Sequence, residues 1–324
     1  MKFAAGAPVV STFARVRTPL DAVTLESLRA TRRMSPLPKP HAMLPTPSES
    51  LPRRTTPVLL AAAMLLAGVS ACAGTSSSHR LQTRGISLYY ETEGHGPPLL
   101  LIHGGMGNGG QFDKQRPAFA PTHRLIVPDC CAQGRTTDRP GPLTYHDMAE
   151  DMIALLDSLQ LRRVDVMGWS DGANIGLDMA IHHPDRVDHL VTFGANASIE
   201  GLPPADRAWN HSATAESLGV GMKVAWTSLN PQPGHYREAM NKVLEMWRTL
   251  PAFTSRELAG IRAHVMVCAG EHDLILPEHT AMIAHTIPGA TMWIVPGASH
   301  GAMRERPDLV NPRVLAFLGK DPTP

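Results

Sequence analysis

The pentapeptide Gly168-Trp169-Ser170-Asp171-Gly172 sets one serine between two glycines in the pattern G-x-S-x-G. Arg163 to Met167 before it reads as a short β-branched strand, and Ala173 to His182 after it carries apolar residues at helical spacing. A serine on a tight strand-to-helix turn has its hydroxyl lifted out of the sheet beside a free backbone N–H, and the flanking glycines permit that turn. Such a hydroxyl becomes a nucleophile when a base takes its proton and a third group orients the base. Downstream, Asp273 follows the apolar run 263–269 and the turn Gly270-Glu271-His272. His300 lies in Pro296-Gly297-Ala298-Ser299-His300-Gly301, expected as a loop after the strand Thr291 to Val295. Both partners fall where a parallel sheet exposes the C-terminal ends of its strands. Glu271, two residues nearer the strand, competes with Asp273 for the acid role.

Upstream, the apolar strand Pro98 to Ile102 ends in His103-Gly104-Gly105-Met106-Gly107. The N–H of Gly105, paired with that of Asp171, would form an oxyanion hole, each donor contributing on the order of 3 kcal/mol to a tetrahedral intermediate. His103 is either a second catalytic histidine or a residue that fixes the loop by hydrogen bonds. The Asp171 side chain has two readings as well. Pointing into a pocket, it would favour a substrate with a nearby cation, such as an α-amino-acid ester; pointing at the helix N-terminus, it is a favourable anion at a positive dipole end.

The elements needed to position these groups are legible. Strands are expected at 81–83, 86–93, 98–102, 124–128, 164–168, 189–194, 264–269 and 291–295, with helices near 109–120, 145–160, 172–183, 277–286 and 308–318. Alternation of strand and helix predicts an α/β fold, a mostly parallel eight-stranded sheet flanked by helices. The alternation breaks after the sixth strand, so residues 195–260 are expected to form a small helical cap, leaving 81–194 and 261–320 as the core. Tyr236, Met240, Val243, Trp247 and Leu250 recur at helical spacing in that insert. Met106, Trp169, Trp226 and Trp247 are the expected pocket residues.

From Leu81 to Leu318 the chain resembles the α/β-hydrolase fold family, carrying Leu-Ile-His-Gly-Gly, Gly-Trp-Ser-Asp-Gly, Gly-Glu-His-Asp and Pro-Gly-Ala-Ser-His-Gly in family order. Gly-Trp-Ser-Asp-Gly and the run Met-Trp-Arg-Thr-Leu-Pro before Ile261 look most like small-capped esterases, enol-lactonases and valacyclovir-hydrolase-like enzymes. One stretch departs from the family pattern Asp-x-Arg-Gly-x-Gly-x-Ser: here it reads Asp129-Cys130-Cys131-Ala132-Gln133-Gly134-Arg135-Thr136, with Cys131 in the arginine's place. The resemblance implies cleavage of a small carboxylic ester or lactone through an acyl-enzyme, with Ser170, Asp273 and His300 as catalytic residues and no cofactor. Carbon-carbon bond hydrolases, cofactor-free haloperoxidases and acyltransferases use the same three residues and remain alternatives, as does a non-catalytic binding lipoprotein. Haloalkane dehalogenases and epoxide hydrolases are disfavoured because they carry an aspartate at the Ser170 position.

The net charge of +1 over 324 residues hides an uneven distribution. Residues 1–71 hold nine Lys or Arg and three Asp or Glu, leaving 21 basic and 26 acidic side chains in the rest. That acidic remainder disfavours a nucleic-acid partner. Residues 1–52, rich in Pro, Ser and Thr, read as a disordered or mis-started leader, with translation expected from Met34 or Met43. Residues 53–71 combine Arg53-Arg54, a short apolar core and small residues, the order of a secretory signal. Val69-Ser70-Ala71-Cys72 resembles a bacterial lipobox, which implies lipidation at Cys72, a tether over 72–80 and an exported, membrane-anchored protein facing the periplasm or cell surface. Simple cleavage near Ala71 to Ala73 is the alternative. Of the other cysteines, Cys268 reads as a buried small hydrophobe, and Cys130 and Cys131 either face the mouth of the site or pack. The sixteen histidines contain no H-E-x-x-H, and no metal is expected. Oligomeric state is not legible.

Overall fold

The computed structural model describes residues 76–319. The leader, the signal with its lipobox at Val69 to Cys72, and the first four tether residues lie outside the described residues. The strands are β1 (Ser77–Thr83), β2 (Ile86–Glu93), β3 (Pro98–Ile102), β4 (Arg124–Pro128), β5 (Val164–Trp169), β6 (Val187–Phe193), β7 (His264–His272) and β8 (Thr291–Ser299). The helices are α1 (Arg116–Phe119), α2 (Tyr145–Ser158), α3 (Asp171–His182), α4 (Pro204–Ser212), α5 (Gly219–Leu229), α6 (Tyr236–Thr249), α7 (Ser255–Ala259), α8 (Pro277–Thr286), α9 (Ala302–Glu305) and α10 (Pro307–Leu318). Among the described residues, no helix is long and apolar enough to cross a membrane.

One eight-stranded sheet runs β1-β2-β4-β3-β5-β6-β7-β8. The first two pairings are antiparallel and all others parallel. Because β3 pairs with β4 on one side and β5 on the other, strand order reverses at β3, and the loops after β3 and β5 diverge to leave a crevice at their C-terminal ends. Ser170 and Gly105 flank this crevice. The apolar run of β3 is explained by burial on both faces: Leu99 and Leu101 pack with Phe119, Val310 and Val314 on one side, Leu100 and Ile102 with Met152 and Ile175 on the other.

Three elements differ from the sequence expectation. β1 begins at Ser77, so the end of the expected tether is a strand paired with β2, Ser77 opposite Thr92. The helix expected at 109–120 is a 3-10 turn at Gly109–Phe112 followed by the single turn α1, because adjacent glycines and Pro117 interrupt it. β8 continues past Val295 through Pro296 to Ser299, with a register irregularity between Gly270 and His272 of β7. A proline is tolerated there because β8 is an edge strand and the ladder is bulged. His300 therefore follows a strand end directly.

The loop that departs from the family pattern at Cys131 is tied down through Asp129. Asp129, fully buried, accepts from the Gly109 and Arg135 N–H groups and from the Arg135 guanidinium, at 2.7 Å to Nε and 3.1 Å to Nη2. Arg135 also bonds Glu91 at 2.5 Å and lies 3.9 Å above the Tyr89 ring. The cation paired with this carboxylate is thus Arg135, four positions beyond Cys131. Arg135→Ala should lower unfolding free energy by about 3 kcal/mol by leaving a buried carboxylate without its cation. A urea unfolding midpoint equal to that of the wild type would contradict this.

Candidate active site

Ser170 sits at the junction of β5 and α3 with φ 55° and ψ −119°, a conformation L-residues rarely adopt. It persists because both ends of the turn are fixed. The Ser170 N–H donates to the Phe193 carbonyl of the neighbouring strand, and its carbonyl accepts from Ala173 and Asn174 as α3 begins. Gly172 packs so closely on β3 that a Cβ there would overlap the Ile102 carbonyl. The hydroxyl is consequently presented at the sheet edge.

His300 Nε2 lies 3.0 Å from Ser170 Oγ, and His300 Nδ1 lies 2.7 Å from Asp273 Oδ1. Asp273 is held by the N–H groups of Ile275 and Gly270. Burial alone would raise its carboxyl, but the bond to His300, the His300 charge and these N–H groups outweigh it and hold the group below the ordinary carboxylate range. Glu271 faces elsewhere, its carboxylate accepting from the Gly297 N–H at 2.8 Å. Trp169 Nε1 donates to the His300 carbonyl at 2.7 Å, which fixes the backbone that carries the imidazole.

Neither the Gly105 N–H nor the Asp171 N–H donates to a protein acceptor among the described residues, and both residues line the same cavity as Ser170. His103 is a loop-fixing residue. Its Nδ1 donates to the Gly104 carbonyl at 2.7 Å, its Nε2 accepts from the Cys130 N–H at 2.9 Å, and burial lowers its pKa. Cys130 and Cys131 are buried, and neither lines the cavity; burial pushes the Cys131 thiol up to about 11 and the Cys130 thiol well up. They pack rather than react. Cys268 is likewise fully buried in β7.

The cavity, about 370 Å³, is roofed by the insert between β6 and β7. Trp169 and Trp247 line it, whereas Met106 and Trp226 do not. Met106 is buried in the core at positive φ, and Trp226 Nε1 donates to the Ala132 carbonyl while its ring packs edge-on against Tyr236. The helical stripe of α6 is accordingly divided: Tyr236, Met240 and Val243 are buried packing, and Trp247 reaches the cavity. Sequence reasoning missed Asn196, Asp206, Trp209, Asn210 and Ile275. Only the half-exposed tryptophan, Trp209, offered a signal, as a large apolar residue in the insert.

The Asp171 carboxylate stands in the first turn of α3, and its hydrogen-bond partners are side chains of other elements. It accepts from Tyr145 Oη at 2.8 Å and from Trp247 Nε1 at 2.9 Å to each oxygen, tying the cap to the residue beside the nucleophile. A Cβ on Gly105 would overlap both Asp171 Oδ2 and Trp247, so the loop after β3 packs directly on this pair. The cavity lining contains two carboxylates, Asp171 and Asp206, and no Lys or Arg. The two groups of side chains with metal-ligand spacing among the described residues lie away from it.

The sequence profile described as the alpha/beta hydrolase fold matches residues 97–230. A protein of Caulobacter sp. (strain K31) named carbamate hydrolase RutD is 30% identical over 259 residues, covering 71% of this chain and 95% of its own length. The chain belongs to the α/β-hydrolase fold family. It is a hydrolase by the same kinship. Serine hydrolase BPHL of Homo sapiens is 24% identical over 270 residues, covering 78% of this chain and 90% of its own. A solved hydrolase from Pseudomonas aeruginosa PA01 superposes with a TM-score of 0.62 at 26% identity, over 75% of this chain and 99% of the other.

Burial raises the Asp171 carboxyl to about 6, against the lowering effects of Trp247, Tyr145 and His300. The folded protein therefore holds this proton to higher pH than the unfolded chain. The associated stability is fully present below the ordinary carboxylate range and is lost as pH rises through about 6. Asp171→Asn lacks this titration. The stability of the wild type minus that of the variant should fall by up to ~3 kcal/mol between about pH 4 and about pH 6, measured by urea unfolding; a flat difference across that window would refute the assignment.

Proposed function

We propose that this hydrolase is a serine enzyme that cleaves a small carboxylic ester or lactone through an acyl-enzyme. The observation that carries the reading is the chain of short contacts from Asp273 through His300 to Ser170 Oγ at the mouth of a cavity. Ser170 Oγ attacks the carbonyl carbon as His300 Nε2 takes its proton, and Asp273 stabilises the imidazolium. The oxygen of the tetrahedral intermediate is received by the N–H groups of Gly105 and Asp171. His300 then gives its proton to the leaving alcohol oxygen, which in a lactone stays attached to the acyl chain. In the second half the same imidazole takes a proton from water, the hydroxyl attacks the acyl carbon, and the proton returns to Ser170 as the acid departs.

A specific observation favours substrates that carry a cation close to the scissile carbonyl: the lining holds Asp171 and Asp206 with no basic side chain except His300. Three of roughly four acceptor positions on Asp171 are filled by Tyr145 and Trp247, leaving capacity on Oδ2 for one further donor. An ammonium group placed there would gain a charge-assisted hydrogen bond. Attachment of the domain to a membrane through lipidated Cys72 is proposed from the sequence segment Val69 to Cys72 alone.

Ser170→Ala should abolish turnover of p-nitrophenyl acetate and labelling by a fluorophosphonate while leaving the thermal transition in place; undiminished turnover would sink the nucleophile assignment. An α-amino-acid ester should exceed its N-acetyl analogue in kcat/KM by roughly 10–100-fold, the worth of one hydrogen bond to a charged group. Equal values would remove the cation preference and leave the serine mechanism intact.

A further inference from the structure

We propose that His146, Asp178 and His182 form a surface site for one divalent transition-metal ion of the zinc type, outside the cavity. Asp178 and His182 lie four residues apart on α3 and so share a face. His146 is the second residue of α2, the helix packed alongside. Nδ1 of His146 and Nδ1 of His182 approach one atom, Asp178 Oδ1, at 2.9 and 3.1 Å, and His182 Nδ1 also lies 3.1 Å from the Asp178 carbonyl. All three ligand atoms lie within 4.8 Å of one another.

A tetrahedral zinc ion with bonds of about 2.0–2.1 Å separates its ligand atoms by about 3.3 Å. The two measured separations need to widen by only a few tenths of an ångström. Two imidazoles with one carboxylate suit zinc, copper or nickel; calcium and magnesium prefer oxygen donors throughout. Burial is suitably graded. The Asp178 side chain is 4% exposed, whereas the imidazoles are 52% and 40% exposed. An ion can therefore enter from solvent and keep a water in its fourth position. Binding at Nδ1 requires the tautomer with its proton on Nε2; any proton on Nδ1 passes to solvent, and the freed lone pair takes the metal.

Spacing along the chain conceals the site, since 32 residues separate His146 from Asp178. Its position gives it a structural consequence. Tyr145, adjacent to His146, bonds Asp171 at the start of α3, so an ion would clamp together the two helices whose first residues meet in the cavity.

The test titrates the full chain with Co2+, followed by its visible d–d absorption, and with Zn2+ in competition. One saturable equivalent is expected, weakened at least about 100-fold by either His146→Ala or His182→Ala. The change His285→Ala, at an exposed histidine on α8, should have no effect. At a hundredfold excess over Kd, Zn2+ should raise the Tm of the wild type by about 5–10 °C and leave the double variant unmoved. The pair His146→Gln with His182→Gln, checked by circular dichroism, serves if the alanine variants fail to fold. Equal binding by wild type and double variant would mean an adventitious ion only and would overturn the proposal, as would the lack of any saturable equivalent.

Discussion

A serine held at positive φ is the constraint on which the catalytic architecture depends. That conformation is unfavourable by roughly 1–3 kcal/mol and survives because β6 accepts its N–H, α3 consumes its carbonyl, and β3 approaches Gly172 too closely for any side chain. These same contacts dictate where the crevice opens. β3 and β5 must be neighbours for Gly172 to press on Ile102, and their adjacency is also what reverses the strand order and separates the loops. The strained turn and the cavity are consequences of one packing arrangement.

Asp171 links that arrangement to the cap. A carboxylate beside the nucleophile is bonded by a phenol from α2 and an indole from α6, and it presses on the loop that offers the Gly105 N–H. Burying a carboxylate between two neutral donors leaves it under-compensated, which is why its proton affinity rises. The protein thus retains, next to Ser170, a buried carboxylate whose hydrogen bonds among the described residues come from neutral donors alone. Asp273 differs because the partner that bonds it can carry a positive charge.

Much of this was legible in the sequence for a physical reason. Residues that end strands at one sheet edge are brought together by topology, so Ser170, Asp273 and His300 could be chosen from strand ends and residue type alone. The order of strands and helices was legible because their apolar periods are strong. Contacts made by side chains from distant elements were not. Trp226 and Trp247 are equally tryptophans of the insert, yet one seals the cap against Ala132 and the other reaches the cavity. Nothing in their spacing separates them. Arg135 in place of the family arginine, the extension of β8 through a proline, and the meeting of His146 with Asp178 each depend on packing between elements rather than on pattern within one.

The position of His300 also orders events in time. It follows β8, the sheet's last strand, and its partner Ser170 lies 130 residues earlier. A chain emerging from the ribosome can build β3, β5, α3 and β6, which together hold the bent serine, before His300 has been made. Contacts of such long sequence separation form late because loop closure must precede them. Over the 130 residues made between Ser170 and His300, the bent serine therefore stands without the imidazole that later meets it, and that contact forms only when the edge strand docks.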